Sequence, residues 1–303
     1  MRILVTGSNG LLGQKLVAAL RADPVIELIA TSRGPDRTPE ALGDHYRAMD
    51  ITLASEVDDV FAATKPNVVI HTAAMTNVDA CELDPVSCKL QNVTATENLV
   101  NAAKRHGSHF VHLSTDFIFD GENGPYREDD GPAPLSIYGH SKLAAERVVM
   151  NAGLAKWSIA RTIIVYGIAE GLSRSNVVLW AKSALERGQP IKVVDDQWRM
   201  PTLAEDLADG CIRIAKRGAT GIFNLSGPDG MSILELVQRV GAFFELDTSL
   251  IIPVKSDTLG QPAKRPPKTG FILDKARREL GYAPRGFEAG LAVLREQIAA
   301  AKP

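Results

Sequence analysis

The sequence Gly7-Ser8-Asn9-Gly10-Leu11-Leu12-Gly13 follows directly on an apolar run at 2–6 and leads into Leu12, Leu16 and Leu20 at helical spacing. This strand–turn–helix order constrains the fold more than any other feature of the chain. Gly7 permits a tight turn, Gly10 leaves room for an anion against the backbone, and Gly13 lets the helix pack close to the strand. The helix start then offers unpaired N–H groups and a partial positive charge. A pyrophosphate suits such a bend, and an α/β dinucleotide fold is the architecture that carries it. The spacing is GxxGxxG rather than GxGxxG.

The rest of the chain repeats the alternation. Apolar runs at 25–31, 68–72, 110–114 and 157–165 read as strands. Helical patterns lie between them at 56–65, 85–106 and 137–150. Continuous Val/Ile/Leu runs without period-two alternation suit strands buried on both faces. The expectation is a Rossmann-type, doubly wound parallel sheet. Beyond Gly167 the pattern loosens. Helices are expected at 176–187, 203–216, 231–244 and 274–280, and strands at 191–194 and 221–225. The Pro-rich stretch 251–267 reads as irregular, and the tail from Ala299 as frayed. The predicted division is a dinucleotide-binding domain over 1–167, with returns near 199–226. A smaller substrate-binding lobe would take 168–198 and 227–303.

Composition removes several classes of function. Lys plus Arg is 34 against 36 Asp plus Glu, a formal charge of −2. That leaves no basic surplus for nucleic acid. No apolar run is long enough to span a bilayer, and the N-terminus has no signal-peptide pattern, so a cytoplasmic protein is expected. Cys81, Cys88 and Cys211 are odd in number and form no CxxC pair. They read as reduced thiols rather than a disulfide framework or zinc site. His71, His106, His109, His112 and His140 lack an HExxH helix or clustered carboxylates, so no metal is predicted. The expected partners are a small molecule and a second copy of the chain.

The dinucleotide is chosen at the end of the second strand, where a carboxylate binds a free ribose and a basic residue suits a 2′-phosphate. This chain has Ser32 and Arg33 there, which favours NADP(H) and leaves NAD(H) open. Asp50-Ile51 is a candidate adenine contact, with a turn or helix cap as the alternative for Asp50.

Tyr138-Gly139-His140-Ser141-Lys142 places a phenol and an ammonium group one helical turn apart. The ammonium is expected to lower the phenol's pKa and to hydrogen-bond the nicotinamide ribose. The pair follows Thr115, at the carboxyl end of the preceding strand, where ligands of open α/β sheets bind. Thr115 is expected to hold a substrate carbonyl. Ser114 is its alternative, because strand alternation aims only one of the two into a site.

Further stretches carry a resemblance. They are Ser114-Thr115-Asp116-Phe117-Ile118-Phe119-Asp120-Gly121, Pro125-Tyr126-Arg127-Glu128, Thr72-Ala73-Ala74-Met75-Thr76-Asn77-Val78-Asp79 and Arg161-Thr162 with Val165-Tyr166-Gly167. Val193-Val194-Asp195-Asp196-Gln197, Pro201-Thr202 and, more weakly, Arg265-Pro266 complete it. Together the chain resembles the dTDP-4-dehydrorhamnose reductases of the extended short-chain dehydrogenase/reductase family. The resemblance implies that Thr115, Tyr138 and Lys142 form the catalytic set. It implies cofactor contacts from Gly7, Gly10, Leu11, Leu12, Gly13, Ser32, Arg33, Asp50, Ile51, Ala73, Ala74, Met75 and Thr76, with Tyr138 and Lys142. Thr76, Val78, Asp116, Phe117, Gln197 and Trp198 would border the substrate.

Phe117 and Ile164 stand where the family pattern usually has Tyr and Trp, and Trp198-Arg199 where it usually has a small residue. Trp198 is a candidate to supply the missing aromatic surface, against a packing role between lobes. The implied activity is NADPH-dependent reduction of the C4 keto group of a nucleotide sugar, dTDP-4-dehydrorhamnose to dTDP-L-rhamnose. Two other readings stay open: a different nucleotide-sugar reductase or epimerase, or a non-catalytic dinucleotide-binding subunit like the regulatory beta subunit of methionine adenosyltransferase.

Overall fold

In the computed structural model, residues 1–38, 42–172 and 175–300 are described. The first half runs β1 (Arg2–Thr6), α1 (Leu11–Arg21), β2 (Glu27–Ser32), β3 (Tyr46–Ala48), α2 (Ala54–Thr64), β4 (Val68–His71), α3 (Val78–Leu83), α4 (Pro85–Lys89), α5 (Ala95–His106), β5 (His109–Thr115), α6 (Ile137–Asn151) and β6 (Trp157–Thr162). The second half runs β7 (Val165–Tyr166), α7 (Val177–Glu186), β8 (Ile191–Val194), β9 (Trp198–Arg199), β10 (Thr202–Leu203), α8 (Ala204–Arg217), β11 (Gly221–Asn224), β12 (Met231–Ser232), α9 (Ile233–Phe243), β13 (Ile251–Val254), α10 (Asp274–Leu280) and α11 (Phe287–Ala300).

Seven strands form one parallel sheet in the order β11-β6-β5-β4-β1-β2-β3. Successive side chains of β1 point to opposite faces. Ile3 and Val5 pack with Leu16 and Leu20 of α1 and with Leu207, Cys211 and Ile214 of α8. Leu4 packs on the other side with Phe61 of α2, Leu99 of α5 and Phe110 of β5. Strand order reverses on either side of β1, so a crevice opens beyond the carboxyl ends of β1, β4 and β5. The doubly wound architecture read from the sequence is the one observed. Among the described residues no helix is long and apolar enough to cross a membrane.

A second core joins α7, α9 and α11 through Val178, Ala181, Leu236, Val240 and Leu291. Between 274 and 282 the chain returns to the sheet, where Ala276, Leu280 and Tyr282 join the α1–α8 core.

Local departures from the sequence reading have tertiary causes. The helix expected over 85–106 contains a π-helical turn at Leu90–Thr94, with Asn92 buried inside it. The strand expected over 157–165 breaks at Ile164, which has φ 33°. The chain there leaves the sheet, and Val165–Tyr166 pairs instead with Thr202–Leu203. Within the stretch read as irregular, Ile251–Val254 pairs with β8, and buried Ile251 anchors it in the second core. Ala299 and Ala300 close α11 rather than fray, and 301–303 lie outside the described residues. The sequence reading places no helix over 287–300, although Phe287, Leu291 and Leu294 recur at helical spacing and are buried together.

One buried ion pair ties α6 to the sheet. Arg161 Nη2 donates to Glu146 Oε2 at 2.8 Å and Nε to Oε1 at 3.0 Å, and both side chains are almost wholly enclosed. Removing one partner strands the other charge in a dry interior. Glu146→Ala is therefore expected to lower the unfolding free energy by about 3–5 kcal/mol, read from urea titrations.

Candidate active site

The crevice is a cavity of about 780 Å³. Gly7, Gly10, Leu11, Leu12 and Gly13 line it from the first turn, with Ser32, Arg33, Asp50 and Ile51 from the ends of β2 and β3. Ala73, Ala74, Thr76 and Val78 follow β4. Thr115, Asp116 and Phe117 follow β5, Tyr138 and Lys142 come from α6, and Gln197 comes from the second half.

The first turn admits no side chains at Gly7 and Gly13, where it packs against the segment after β4 and against its own backbone. Gly7 has φ +71°, and a Cβ there would lie 2.9 Å from the Ala73 nitrogen. A Cβ on Gly13 would lie 2.1 Å from the Gly7 carbonyl oxygen. Gly10 caps α1 without any side-chain hydrogen bond, so the first-turn N–H groups face the cavity uncapped by the protein. Asn9 fastens the turn to the segment after β2: its Nδ2 donates to the Pro35 carbonyl and its Oδ1 accepts from the Arg37 amide. The exposed Arg33 stands at the same rim. An uncapped helix start, a glycine bend closed to side chains and a guanidinium at the β2 end together fit a phosphorylated dinucleotide.

Tyr138 enters the site through a close backbone approach. Ser136 caps α6, accepting from the Gly139 amide at 3.2 Å. A Cβ on Gly139 would lie 2.3 Å from the Phe117 carbonyl oxygen, so glycine lets α6 press against the turn after β5. The close approach accounts for the glycine beside the tyrosine, which the Tyr–Lys spacing alone does not reveal. The Tyr138 and Phe117 rings meet edge to face at 5.7 Å.

The electrostatics differ from expectation. Burial pushes the Tyr138 phenol well above its ordinary range, and the opposing pull is its hydrogen bond with Thr115. Lys142 does not supply that pull: its Nζ donates to the Leu113 carbonyl at 2.6 Å and lies 3.4 Å from His112 Nε2. Burial also lowers Lys142 to about 8, against the attraction of Glu146. Ser114 and Thr115 both border the cavity, contrary to simple strand alternation. Ser114 Oγ is buried without a hydrogen-bond partner among the described residues.

Met75 and Trp198 are not among the cavity-lining residues. Met75 packs with Cys81, Cys88 and Tyr138. Asn92 fixes its backbone, accepting from the Met75 amide at 2.7 Å and donating to its carbonyl at 3.1 Å. Trp198 is 43% exposed, whereas its neighbour Arg199 is buried and borders the cavity. Strand alternation turns the guanidinium inward and the indole outward. Arg199 was visible in the sequence only as a departure from a small residue. Arg265 also lines the site, held by Asp79 at 2.7 and 3.1 Å. Glu128 accepts from the Asn224 amide and fastens its loop to β11.

A family model described as the RmlD substrate binding domain matches residues 1–299. The chain belongs to this family. Among relatives of this RmlD-family protein, a dTDP-4-dehydrorhamnose reductase from Burkholderia thailandensis is 34% identical over 298 residues, 93% of each chain. A methionine adenosyltransferase 2 subunit beta from Xenopus tropicalis is 31% identical over 267 residues, 86% of this chain and 77% of its own. The crystal structure of a dTDP-4-dehydrorhamnose reductase from Bacillus anthracis, in complex with NADP, superposes with a TM-score of 0.81 at 26% identity. It covers 98% of this chain and 99% of that one.

The lowered Lys142 pKa sets a stability signature. Below about 8 the native and unfolded chains both carry the proton, and the cost of enclosing the charge is fully present. Between about 8 and the ordinary lysine value of 10.5, the native protein sheds a proton that the unfolded chain keeps. Unfolding free energy should therefore rise with pH across that window, relative to Lys142→Met. Denaturant midpoints of the two proteins across that window check the slope.

Proposed function

We propose that this protein reduces the C4 keto group of a nucleotide sugar with NADPH, with dTDP-4-dehydrorhamnose as substrate and dTDP-L-rhamnose as product. The observation that carries this reading is the convergence of Thr115, Tyr138 and Lys142 on the cavity that begins at the glycine bend. The reductases among its relatives, one of them solved with NADP, support it.

The glycine bend and the start of α1 would hold the pyrophosphate, Arg33 the 2′-phosphate, and Asp50-Ile51 the adenine end. A bound nicotinamide dinucleotide supplies the hydride for such a reduction. Tyr138 holds the proton that passes from its Oη to the forming alkoxide. Lys142 would anchor the ribose from the floor of the site. The high phenol pKa suits a proton donor, because Tyr138 stays protonated at neutral pH. Phe117 and Ile164 give the sugar end an apolar surface where hydroxyl and indole groups are usual in the resemblance, and the choice of sugar turns on that surface.

The beta-subunit relative favours a second reading, a dinucleotide-binding subunit without catalysis. A proton-donor set gathered in the cavity argues for the first. Oxidation of bound NADPH by a panel of 4-keto nucleotide sugars, followed by nicotinamide absorbance, separates them; no oxidation by any member overturns the reductase reading.

Tyr138→Phe is expected to lower kcat by about 10²–10⁴-fold while NADPH affinity stays within about threefold, measured by turnover and by fluorescence titration. Arg33→Ala is expected to weaken NADPH binding by about 10–100-fold and leave NADH nearly unchanged, since only the former carries the 2′-phosphate.

A further inference from the structure

Asp116 is buried at the inner end of the cavity, immediately after the strand that carries Thr115. Its two oxygens have different partners. Oδ1 accepts from the Thr115 hydroxyl at 3.1 Å, and Oδ2 accepts from the Thr269 hydroxyl at 2.5 Å. Arg199 Nε lies 3.8 Å from Oδ2, and both side chains of this ion pair are almost fully enclosed. The same guanidinium lies over the Phe117 ring at 5.8 Å.

A threonine hydroxyl has one proton and two lone pairs. In Thr115 the proton goes to Asp116, and one lone pair accepts from the Phe117 amide at 3.2 Å. The second lone pair is left open to the cavity that Tyr138 shares, and proximity to this hydroxyl is the influence that opposes burial at the phenol. A neutral phenol meets a lone pair as a donor. A phenolate needs the Thr115 proton instead and must draw it away from Asp116. The carboxylate and the phenolate therefore compete for one hydrogen, and charge on the first disfavours charge on the second.

We propose that Asp116, kept ionised by Arg199, is a positioning residue that fixes the Thr115 hydroxyl so that Tyr138 remains in its proton-donating form. The proposal rests on the reductase reading, in which each turnover begins with a protonated phenol. It also accounts for a buried arginine where a small residue is usual in the resemblance. Burial alone drives the Asp116 carboxyl toward its neutral form, and Arg199 is the largest influence against it, followed by Thr269 and Thr115. The charged and titratable groups around Asp116 and Tyr138 are Arg199 from β9, with Arg265 acting on Arg199, and the Cys81 thiol of α3 and the Cys88 thiol of α4, which act on Tyr138.

The ionisation is read without substrate, by carbon-13 NMR of protein labelled at the aspartate carboxyls. The Asp116 signal is the one missing in Asp116→Asn. If that variant does not fold, the signal is the one displaced by Thr269→Val. Arg199→Met should raise the Asp116 titration midpoint by about one pH unit or more, and Arg199→Lys should leave it within about half a unit. The phenolate absorbance of each protein, minus that of its Tyr138→Phe counterpart, should begin at lower pH in Asp116→Asn than in the wild type.

In turnover, a neutral Asp116 no longer holds the Thr115 proton, which is free to turn toward the phenol and misdirect it, so Arg199→Met should lose about tenfold or more in kcat at neutral pH, with KM within about threefold, and regain it as pH rises through the displaced carboxyl midpoint. Arg199→Lys should restore kcat at neutral pH. An unmoved carboxyl midpoint in Arg199→Met, an unmoved phenolate onset in Asp116→Asn, or a kcat loss equal at every pH would each overturn the proposal. A displaced midpoint and onset in a protein that reduces no keto sugar would support the charge coupling and overturn the reductase reading instead.

Discussion

Everything at the cavity depends on how closely one turn of backbone lies against another at the start of α1. With the Gly7 carbonyl 2.1 Å from where a Gly13 Cβ would stand, the helix is seated on its own approach turn at a distance only hydrogen allows. That contact aims the open end of α1 across the carboxyl edge of the sheet. The same device recurs at Gly139 against Phe117, which sets the depth of α6. Two backbone approaches thus fix the two ends of the site, and the side chains between them inherit their separation.

Most of the sheet was legible because its strands are uniformly apolar and its helices keep one period. Ile3, Leu4 and Val5 pack on opposite faces, yet both faces are covered, so the run has no polar gap to hide it. What escaped was decided by distant contacts. Ile251, Ile252 and Val254 favour a strand, but Pro253 and the Pro-rich stretch beyond it hid the element; its partner lies sixty residues earlier in β8. The break at Ile164 follows from Val165 finding Thr202, again a remote pairing. The candidate site shows the same division. Most motif residues line the cavity, Met75 excepted, whereas Trp198 turns outward and Arg199, for which the sequence offered no role, turns inward, because the direction of a two-residue strand depends on its register with Ser232 and Met231.

Charge is arranged unevenly in the site. The mouth carries Arg33 in solvent, where a ligand phosphate can be met by diffusion and screening is strong. The interior carries Asp116, Arg199 and Lys142 in an enclosed setting, where each charge is felt by its neighbours through little water. The two histidines behind the sheet edge, His71 and His112, are held neutral by burial, and the nearby Lys142 ammonium adds to that effect. Reactivity at the inner end is therefore set by a few fixed dipoles and ions rather than by solvent.

The π-helical turn at Leu90–Thr94 has a mechanical consequence. Asn92 holds the Met75 backbone with its Oδ1 accepting and its Nδ2 donating, and the same Nδ2 also donates to the Ser141 hydroxyl at 2.9 Å. Ser141 sits on α6 between the tyrosine and the lysine. A single carboxamide therefore couples the loop after β4 to the helix that carries Tyr138, and the two walls of the cleft are constrained to shift together, as parts riveted at one joint.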